Sequence, residues 1–416
     1  MQIDRLIAAL QPSAVVNEAD LEIDDLAYDT RAVQPGALFF CVPGATRDGH
    51  DLAREAVAAG ATALVVEHAL DVPVPQLVVP SVRQAMPLAA NEFFGNPSQE
   101  LDVAAVTGTN GKTTTAFLIA AILDAAGRRP GLLTNIERRV GGESHATGLN
   151  TPEAIDLQRL LRAMLDAGDR SCAMEATSIA AEMGRLAGTR FAVLVFTNLT
   201  QDHLDFHGTM ERYFESKRAL FAQAERAVVN VGDEWGRRLA AELPNARTFT
   251  PDDDLDGIEP RLKGSFNRAN VLGAVWAARE LGVSEDAIRA GVDSLAGVPG
   301  RFESVEAGQP FAVIVDYAHT PDSLANVLRA ARELADRAIV TTDNPRSEDP
   351  AEIAAQVAEG ALEVVLDRRE AIELALADAR AGDVVVIAGK GADTEMELAD
   401  RRVPFDDRRV AREALT

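Results

Sequence analysis

The chain has 416 residues, 47% of them hydrophobic and 25% charged, a globular balance on a chain too long for one ordinary core, so two or three domains are expected. Its net charge of −24 argues against a nucleic-acid binder, which would carry a basic face, and requires any phosphate site to be made locally positive. Cys41 and Cys172 are far apart and lack metal spacing; with no signal peptide and no apolar run near ~18 residues, a cytoplasmic protein that does not insert into a membrane is expected.

Residues 1–97 alternate helix and strand. Ile3 to Leu10 is amphipathic, Gly36 to Gly44 holds an apolar strand, Leu52 to Ala59 reads as a helix, and Ala61 to Val66 and Gln76 to Val79 read as strands. A small α/β domain fits this alternation. His50 has no second histidine or cysteine beside it and reads as a turn residue. Asn96-Pro-Ser-Gln-Glu100, polar and proline-containing, reads as a linker.

The segment 98–297 opens on Val103-Ala-Ala-Val-Thr-Gly-Thr-Asn-Gly-Lys-Thr-Thr-Thr115, followed by apolar residues at helical spacing to Leu123. Strand, glycine loop and helix make a phosphate-binding layout. Glycines let backbone N–H groups close on an anion, the helix N-terminus adds positive charge, Lys112 reaches a terminal phosphate, and the Thr113 hydroxyl can ligate Mg²⁺. The spacing departs from the common P-loop, because Val106 stands where that pattern has its first glycine.

Further on, Gly131 to Thr134 reads as a strand, and Pro152 and Glu153 suit the first turn of a helix from Ala154 to Ala167. Ser171 to Glu175 is a strand ending on Glu175, and Phe191 to Asn198 is a buried strand leading into Gln201-Asp-His-Leu-Asp-Phe-His-Gly208. In parallel sheets ligands sit at strand carboxyl ends, which is where Glu175 and His203 fall. Each taken alone has a plainer reading: a glutamate that caps, a histidine that hydrogen-bonds, and, at Lys217, a surface charge on a helix. Together they suggest phosphoryl transfer with Mg²⁺, Glu175 and His203 joining Thr113 as metal ligands. Arg226 to Val231 reads as another strand, and the segment from Gly264 opens a long helix to Glu280.

Residues 298–416 read as a second doubly wound domain. A strand Ala312 to Asp316 leads to a polar turn and a helix to Leu334; a strand Ala338 to Thr342 ends on Asp343-Asn-Pro-Arg346; and Asp383 to Ala388 leads to Gly389-Lys-Gly391.

Six stretches, in order, carry a family resemblance: Thr107 to Thr115, Met174-Glu-Ala-Thr-Ser178, Phe196 to Gly208, Gly300-Arg-Phe-Glu303, Asp316-Tyr-Ala-His-Thr-Pro-Asp-Ser-Leu324 and Asp343 to Arg346. The chain resembles the Mur ligases from about residue 26 onward, and most of all their meso-diaminopimelate-adding branch. The resemblance implies a small N-terminal α/β domain that binds a UDP-sugar (1–97), a central P-loop ATPase domain with a parallel sheet (98–297) and a C-terminal Rossmann-like domain (298–416). It implies an ATP-dependent amide-bond ligase that adds meso-diaminopimelate to UDP-N-acetylmuramoyl-L-Ala-D-Glu through an acyl phosphate, acting as a monomer.

By the same resemblance Lys112, Glu175, His203 and Lys217 are catalytic. Gly108, Thr109, Asn110, Gly111, Thr113, Thr114, Asn270, Arg301 and Asp316 belong with Lys112 at ATP. Thr30, Asn150, Thr151, Thr177 and Arg185 belong at the UDP-sugar dipeptide, and Asp343, Asn344, Pro345, Arg346, Gly389 and Asp393 at the incoming amino acid. Lys217 would be carbamylated, which makes it an Mg²⁺ ligand. Three departures stand out. Roughly one βα unit of ~30 residues is missing between Asp316 and Asp343, together with an arginine that would hold a diaminopimelate carboxylate. Phe249 to Pro260 replaces a longer stretch of strands. Ile179, Met183, Ala392 and Asp393 replace a His, a Gln, a His and a Glu of the family pattern. The departures leave open an acceptor such as L-lysine or a paralogue that binds nucleotide without turnover. The retained Lys112, Glu175 and Lys217 favour the enzyme.

Overall fold

The computed structural model describes residues 1–44, 47–145, 147, 149–262, 266–318, 337, 339–345, 349–352 and 363–416. In the N-terminal part, β1 (Ala14–Val16), β2 (Asp25–Ala27), β3 (Ala37–Phe40), β4 (Ala61–Val66) and β5 (Gln76–Val78) form one sheet in the order β1-β5-β4-β3-β2. All neighbours are parallel except β1 and β5. Both faces of β3 and β4 are buried, which is why their sequences are continuous apolar runs rather than alternating ones. Helices α1 (Ile3–Leu10) and α3 (Val82–Phe93) pack with one face; α2 (Ala53–Ala59) packs with the other.

The segment read as a linker is not a loose one. Pro97–Gln99 forms a short 3₁₀ turn, and the buried Ser98 holds Arg190: its hydroxyl accepts from the Arg190 backbone N–H at 3.0 Å and its carbonyl from the guanidinium at 3.2 Å.

The central sheet has the order β13-β12-β11-β6-β10-β7-β8-β9. Its strands are β6 (Asp102–Thr107), β7 (Pro130–Leu133), β8 (Arg138–Val140), β9 (Glu143–His145), β10 (Ser171–Glu175), β11 (Val193–Phe196), β12 (Ala227–Asn230) and β13 (Arg247–Phe249). From β13 to β7 every pair is parallel, and β7-β8-β9 is an antiparallel meander. Helices α4 (Lys112–Ala125), α10 (Asn267–Glu280) and α11 (Glu285–Ser294) share one core with this sheet. Among them α4 is apolar nearly all round, as a helix enclosed on every side must be. On the other face lie α5 (Ala154–Asp166), α6 (Ser178–Glu182), α7 (Leu204–His207), α8 (Met210–Arg218) and α9 (Glu234–Glu242). The helix expected after residue 151 starts at Ala154 with Glu153 as its N-cap, so Pro152 and Glu153 precede the first turn rather than form it.

In the C-terminal part β14 (Glu303–Ser304), β15 (Ala312–Asp316) and β18 (Val384–Ala388) form a sheet, with β16 (Ile339–Val340) pairing β17 (Glu363–Val364) and β19 (Glu395–Glu397) pairing β20 (Arg402–Pro404). Two helices, α12 (Arg368–Asp378) and α13 (Asp407–Leu415), pack together. The helix expected up to Leu334 and the proposed site residue Arg346 lie outside the described residues.

A buried ion pair ties these C-terminal elements together. Arg368 on α12 donates two hydrogen bonds to Asp407 on α13, at 2.8 and 2.7 Å, and others to the carbonyls of Thr342 and Ala388, so it reaches the ends of two strands that lead into proposed site loops. Both side chains are essentially inaccessible. Asp407→Ala would leave a buried guanidinium uncompensated and is expected to destabilise this part of the chain by about 3–5 kcal/mol. A chemical-denaturation curve, with α12 and α13 followed by hydrogen exchange, measures it.

Candidate functional site

The site is built where β6, β10 and β11 end side by side. Register places Val106 opposite Glu175 and Thr107 opposite Phe196, so the glycine loop, Glu175 and the Thr197-Asn198 turn emerge at one sheet edge. Two glycines are sterically required there. A Cβ on Gly108 would lie 2.0 Å from the Thr197 hydroxyl oxygen, and one on Gly111, where φ is +87°, would lie 2.1 Å from Asn270 Oδ1. The loop is further held by Asn110 N–H, which donates to Asn198 Oδ1 at 2.9 Å, and by Thr197 Oγ1, which donates to the Asn110 carbonyl at 2.7 Å.

Lys112 opens α4 and folds back, donating to the carbonyls of Thr109 at 2.7 Å and Gly108 at 3.1 Å. Thr113 Oγ1 lies 2.9 Å from Glu175 Oε1 and 3.1 Å from Asn135 Oδ1, and it accepts from Arg301 at 3.1 Å. Glu175, 1% exposed, also accepts from the Asn135 backbone N–H at 3.1 Å. Arg301 comes from the C-terminal part, with its guanidinium 4.2 Å from the Tyr317 ring centroid, so the P-loop and the C-terminal segment meet at Thr113.

Lys217, on α8, is 1% exposed; its Nζ donates to the Gly108 carbonyl at 2.8 Å and stands 4.5 Å from the Tyr213 ring centroid. Thr209 caps this helix, its side chain accepting from Arg212 N–H at 3.2 Å. Burial, reinforced by the neighbouring Lys112, pushes the Lys217 amine well below its ordinary value. Burial likewise lowers Lys112, against the pull of Glu175 and Asp202. Tyr213 lies one helical turn before Lys217 and shares a hydrogen bond of 3.1 Å with Thr109 Oγ1, joining α8 to the P-loop. His203 takes the left-handed conformation, φ 52°, at the start of α7, and its ring meets that of Tyr213 edge to face at 6.2 Å. Burial holds its pKa below the usual histidine value.

The predicted catalytic residues, with Thr113 and Arg301, therefore gather in two adjoining lobes. Thr113, Glu175 and Arg301 form one; Lys112 and Lys217 meet at the Gly108 carbonyl in the other, with His203 close by across Tyr213. Among the described residues no three His, Cys, Asp or Glu side chains are grouped so as to hold a metal by themselves. The Thr113 hydroxyl and the Glu175 carboxylate nonetheless converge as hard oxygen donors, and such a pair suits Mg²⁺, which completes its shell with water and phosphate oxygens.

Asn270 is buried and donates to Asn267 Oδ1 at 2.9 Å, beside Gly111. Asp316 accepts from Phe302 N–H at 2.7 Å and Ala318 N–H at 2.8 Å, which fixes the turn that carries Arg301. Thr151 Oγ1 donates to the Glu175 carbonyl at 2.9 Å and accepts from Thr177 N–H at 3.2 Å, while Arg185 pairs with Glu153 at 2.9 Å and donates to the Thr151 carbonyl at 3.3 Å. Thr30 lies apart from these, in a cavity of about 490 Å³ on the N-terminal sheet lined by Tyr28, Asp29, Arg31, Arg47, Leu52 and Glu55.

The third group is Asp343, Asn344, Gly389 and Asp393. It is organised by a lysine that the motifs passed over: Lys390, fully buried, donates to Asn344 Oδ1 at 3.1 Å and to the Glu395 carbonyl at 2.7 Å, with Asp343 at 3.8 Å. Burial raises the Asp393 carboxyl, offset by Lys390. Asn135 and Tyr213 were missed as well. The signal for Tyr213 was its place four residues before Lys217 on one helix face; Asn135 carried none, because only the fold brings it to Glu175.

Three family descriptions match the chain: "Mur ligase family, catalytic domain" over residues 22–94, "Mur ligase middle domain" over 106–254, and "Mur ligase, glutamate ligase domain" over 300–337 and 330–391. Among similar proteins, the UDP-N-acetylmuramoyl-L-alanyl-D-glutamate–2,6-diaminopimelate ligase of Bacillus cereus is 39% identical over 100% of this chain and 99% of its own length. The one of Gloeobacter violaceus is 40% identical over 96% and 95%. A solved structure bearing the same enzyme name superposes with a TM-score of 0.67 at 29% identity, covering 96% of each chain. The MurF ligase of Thermotoga maritima in complex with ADP shares the fold, with a TM-score of 0.63 at 19% identity over 94% and 96%.

Proposed function

The chain belongs to the Mur ligase family, and on that premise we propose that it joins meso-diaminopimelate to UDP-N-acetylmuramoyl-L-Ala-D-Glu with cleavage of ATP to ADP and phosphate. The observation that carries this reading is the meeting of the P-loop Thr113 with Glu175 at 2.9 Å and Arg301 at 3.1 Å, beside two lysines that share the Gly108 carbonyl. It is a site arranged for charge on a terminal phosphate, with little covalent work left for the protein.

In the reaction a γ-carboxylate oxygen of the glutamate attacks the γ-phosphorus, the bond to the ADP oxygen breaks, and an acyl phosphate forms. The amine of the incoming amino acid then adds to the acyl carbon, loses a proton, and the tetrahedral species expels inorganic phosphate. Lys112 and the N-terminus of α4 hold the phosphates, and Arg301 brings a second cation as the C-terminal part packs on the P-loop. Thr113 and Glu175 would hold Mg²⁺, which supplies charge neutralisation on the phosphates. Burial lowers the Lys217 pKa well below its ordinary value, which favours the free amine that adds to CO₂ with loss of one proton to give a carboxylate-like ligand.

In the same reading Thr30 and its cavity receive the UDP end, where Arg31 and Arg47 contribute positive charge. Asn150, Thr151, Thr177 and Arg185 are assigned to the peptide end, and Asp343, Asn344, Pro345, Arg346, Gly389 and Asp393 to the acceptor. The three regions 1–97, 98–297 and 298–416 act as separate domains of a cytoplasmic monomer. No described helix is long and apolar enough to cross a membrane.

Oxygen transfer tests the chemistry. With the glutamate γ-carboxylate labelled with ¹⁸O, one labelled oxygen is expected in the released phosphate, read by mass spectrometry. Label in AMP, or none in phosphate, would reject the acyl-phosphate route.

A further inference from the structure

A second histidine lies close to the site without any of the roles assigned above. His207 ends α7 and is 1% exposed. Its Nε2 is 3.0 Å from Ser178 Oγ and its Nδ1 is 3.3 Å from Ser216 Oγ. Ser216 Oγ also lies 2.8 Å from Glu182 Oε2 and 2.9 Å from the Arg212 carbonyl, both of them pure acceptors. A hydroxyl has one proton, and the charged Glu182 carboxylate at 2.8 Å is a closer and stronger acceptor than the imidazole at 3.3 Å, which leaves Ser216 to accept from the ring. The tautomer follows: His207 carries its proton on Nδ1, donates it to Ser216, and receives the Ser178 hydroxyl proton at Nε2. Burial lowers the His207 pKa below the usual histidine value, which favours the neutral ring that this double role uses.

The two serines adjoin two proposed site residues. Ser178 follows Thr177, which caps α6 by accepting from Ala180 N–H at 3.3 Å, and Ser216 precedes Lys217 on α8. The His207 ring also packs on Tyr213 at 5.0 Å, the residue bonded to the P-loop Thr109. One imidazole therefore spans the loop assigned to the peptide substrate and the helix assigned to the phosphate end.

We infer that His207 is a positioning residue for ligation: as its Nδ1–H tautomer it bridges Ser178 to Ser216 and so fixes the distance between the Thr177 loop and Lys217, hence between the attacking carboxylate and the phosphate it attacks. The inference rests on the ligase reading above. In-line attack tolerates little error in that distance, and a displacement near 1 Å can cost ~100-fold in rate.

The test uses the full chain with His207→Phe, which keeps an aromatic ring against Tyr213 and loses both hydrogen bonds, and Ser178→Ala, which cuts one side of the bridge. For His207→Phe, kcat per folded molecule is expected to fall ~10–100-fold, while KM for ATP stays within about twofold, as expected where an interaction acts on the chemical step rather than on binding. Combined with Ser178→Ala the losses should be less than multiplicative, because both remove the same bridge. A purely structural role would instead lower thermal stability and leave kcat of the folded fraction near wild type; that result, or multiplicative losses, would overturn the inference. If His207→Phe does not fold, Ser178→Ala and Ser216→Ala serve as the pair, with the same criteria. Wild-type protein that binds ATP but ligates nothing would overturn the ligase reading itself, an outcome separate from a variant that ligates at wild-type rate.

Discussion

Lys112→Ala is expected to lower kcat by on the order of 10³-fold or more, the largest effect of any single substitution proposed. Its Nζ lies against the Gly108 and Thr109 carbonyls at the mouth of the P-loop, the position from which a point charge reaches a terminal phosphate. The fold should survive, because what anchors the loop is elsewhere: Thr197 and Asn198 grip Asn110, and Tyr213 grips Thr109. Single-turnover kinetics and a nucleotide-binding isotherm separate the two consequences. A weak defect with normal ATP binding would place the phosphate charge on another residue.

Lys217→Ala should cost on the order of 10²–10³-fold in kcat, and for a different reason. A buried amine beside a second lysine is a poor ground-state partner for phosphate, and burial together with Lys112 lowers its pKa well below the ordinary value. In the proposed reading it is converted to a carbamate, which places a carboxylate-like anion where the amine stood. Alanine removes the whole side chain and leaves a space lined by Tyr213 and the Gly108 carbonyl. Formate or acetate at high concentration should therefore restore a measurable part of the rate to this variant and none to Lys112→Ala. Equal response of both variants, or no rescue with Mg²⁺ present, would contradict the carbamate role.

Much of the scaffold is written in local patterns. A continuous apolar run before a glycine loop and an apolar helix after it require a buried parallel strand and an enclosed α4, and both are present. The register that puts Glu175 beside Val106 follows from strands buried on both faces, where a slip would disturb every contact. Other features depend on long-range packing. Helix α3 went unread because it carries Pro87 inside it, and proline argues against a helix interior; it holds because Val82, Ala85, Met86, Ala89 and Ala90 are buried. Likewise the β8–β9 hairpin is short, with β9 exposed and β8 only partly buried, so its sequence shows no alternation to read. At the site, motif order exposed Lys112, Glu175, His203 and Lys217. Asn135, Lys390 and His207 stayed hidden because their partners are distant in sequence: Asn135 meets Glu175, Lys390 meets Asn344, and His207 meets Ser178.

The departures from the family pattern fall in both the central and the C-terminal parts, and in the latter the matched description runs as two segments, 300–337 and 330–391. What is described there is well organised. Lys390 and Arg368 hold the ends of the strands around Asn344 and Gly389, and Arg301 reaches back to Thr113. Under the proposed reading the acceptor is recognised here, with Asp343 and Asp393 as the acidic groups and Lys390 as their buried counter-charge.

The most direct measurement is phosphate release by the purified full chain given ATP, Mg²⁺ and UDP-N-acetylmuramoyl-L-Ala-D-Glu, with meso-diaminopimelate, with L-lysine, or with no amino acid. The diaminopimelate-ligase assignment predicts sustained release with meso-diaminopimelate alone, accompanied by the UDP-linked tripeptide. Release with L-lysine but not diaminopimelate, or no release with any amino acid from protein that binds ATP, would contradict it.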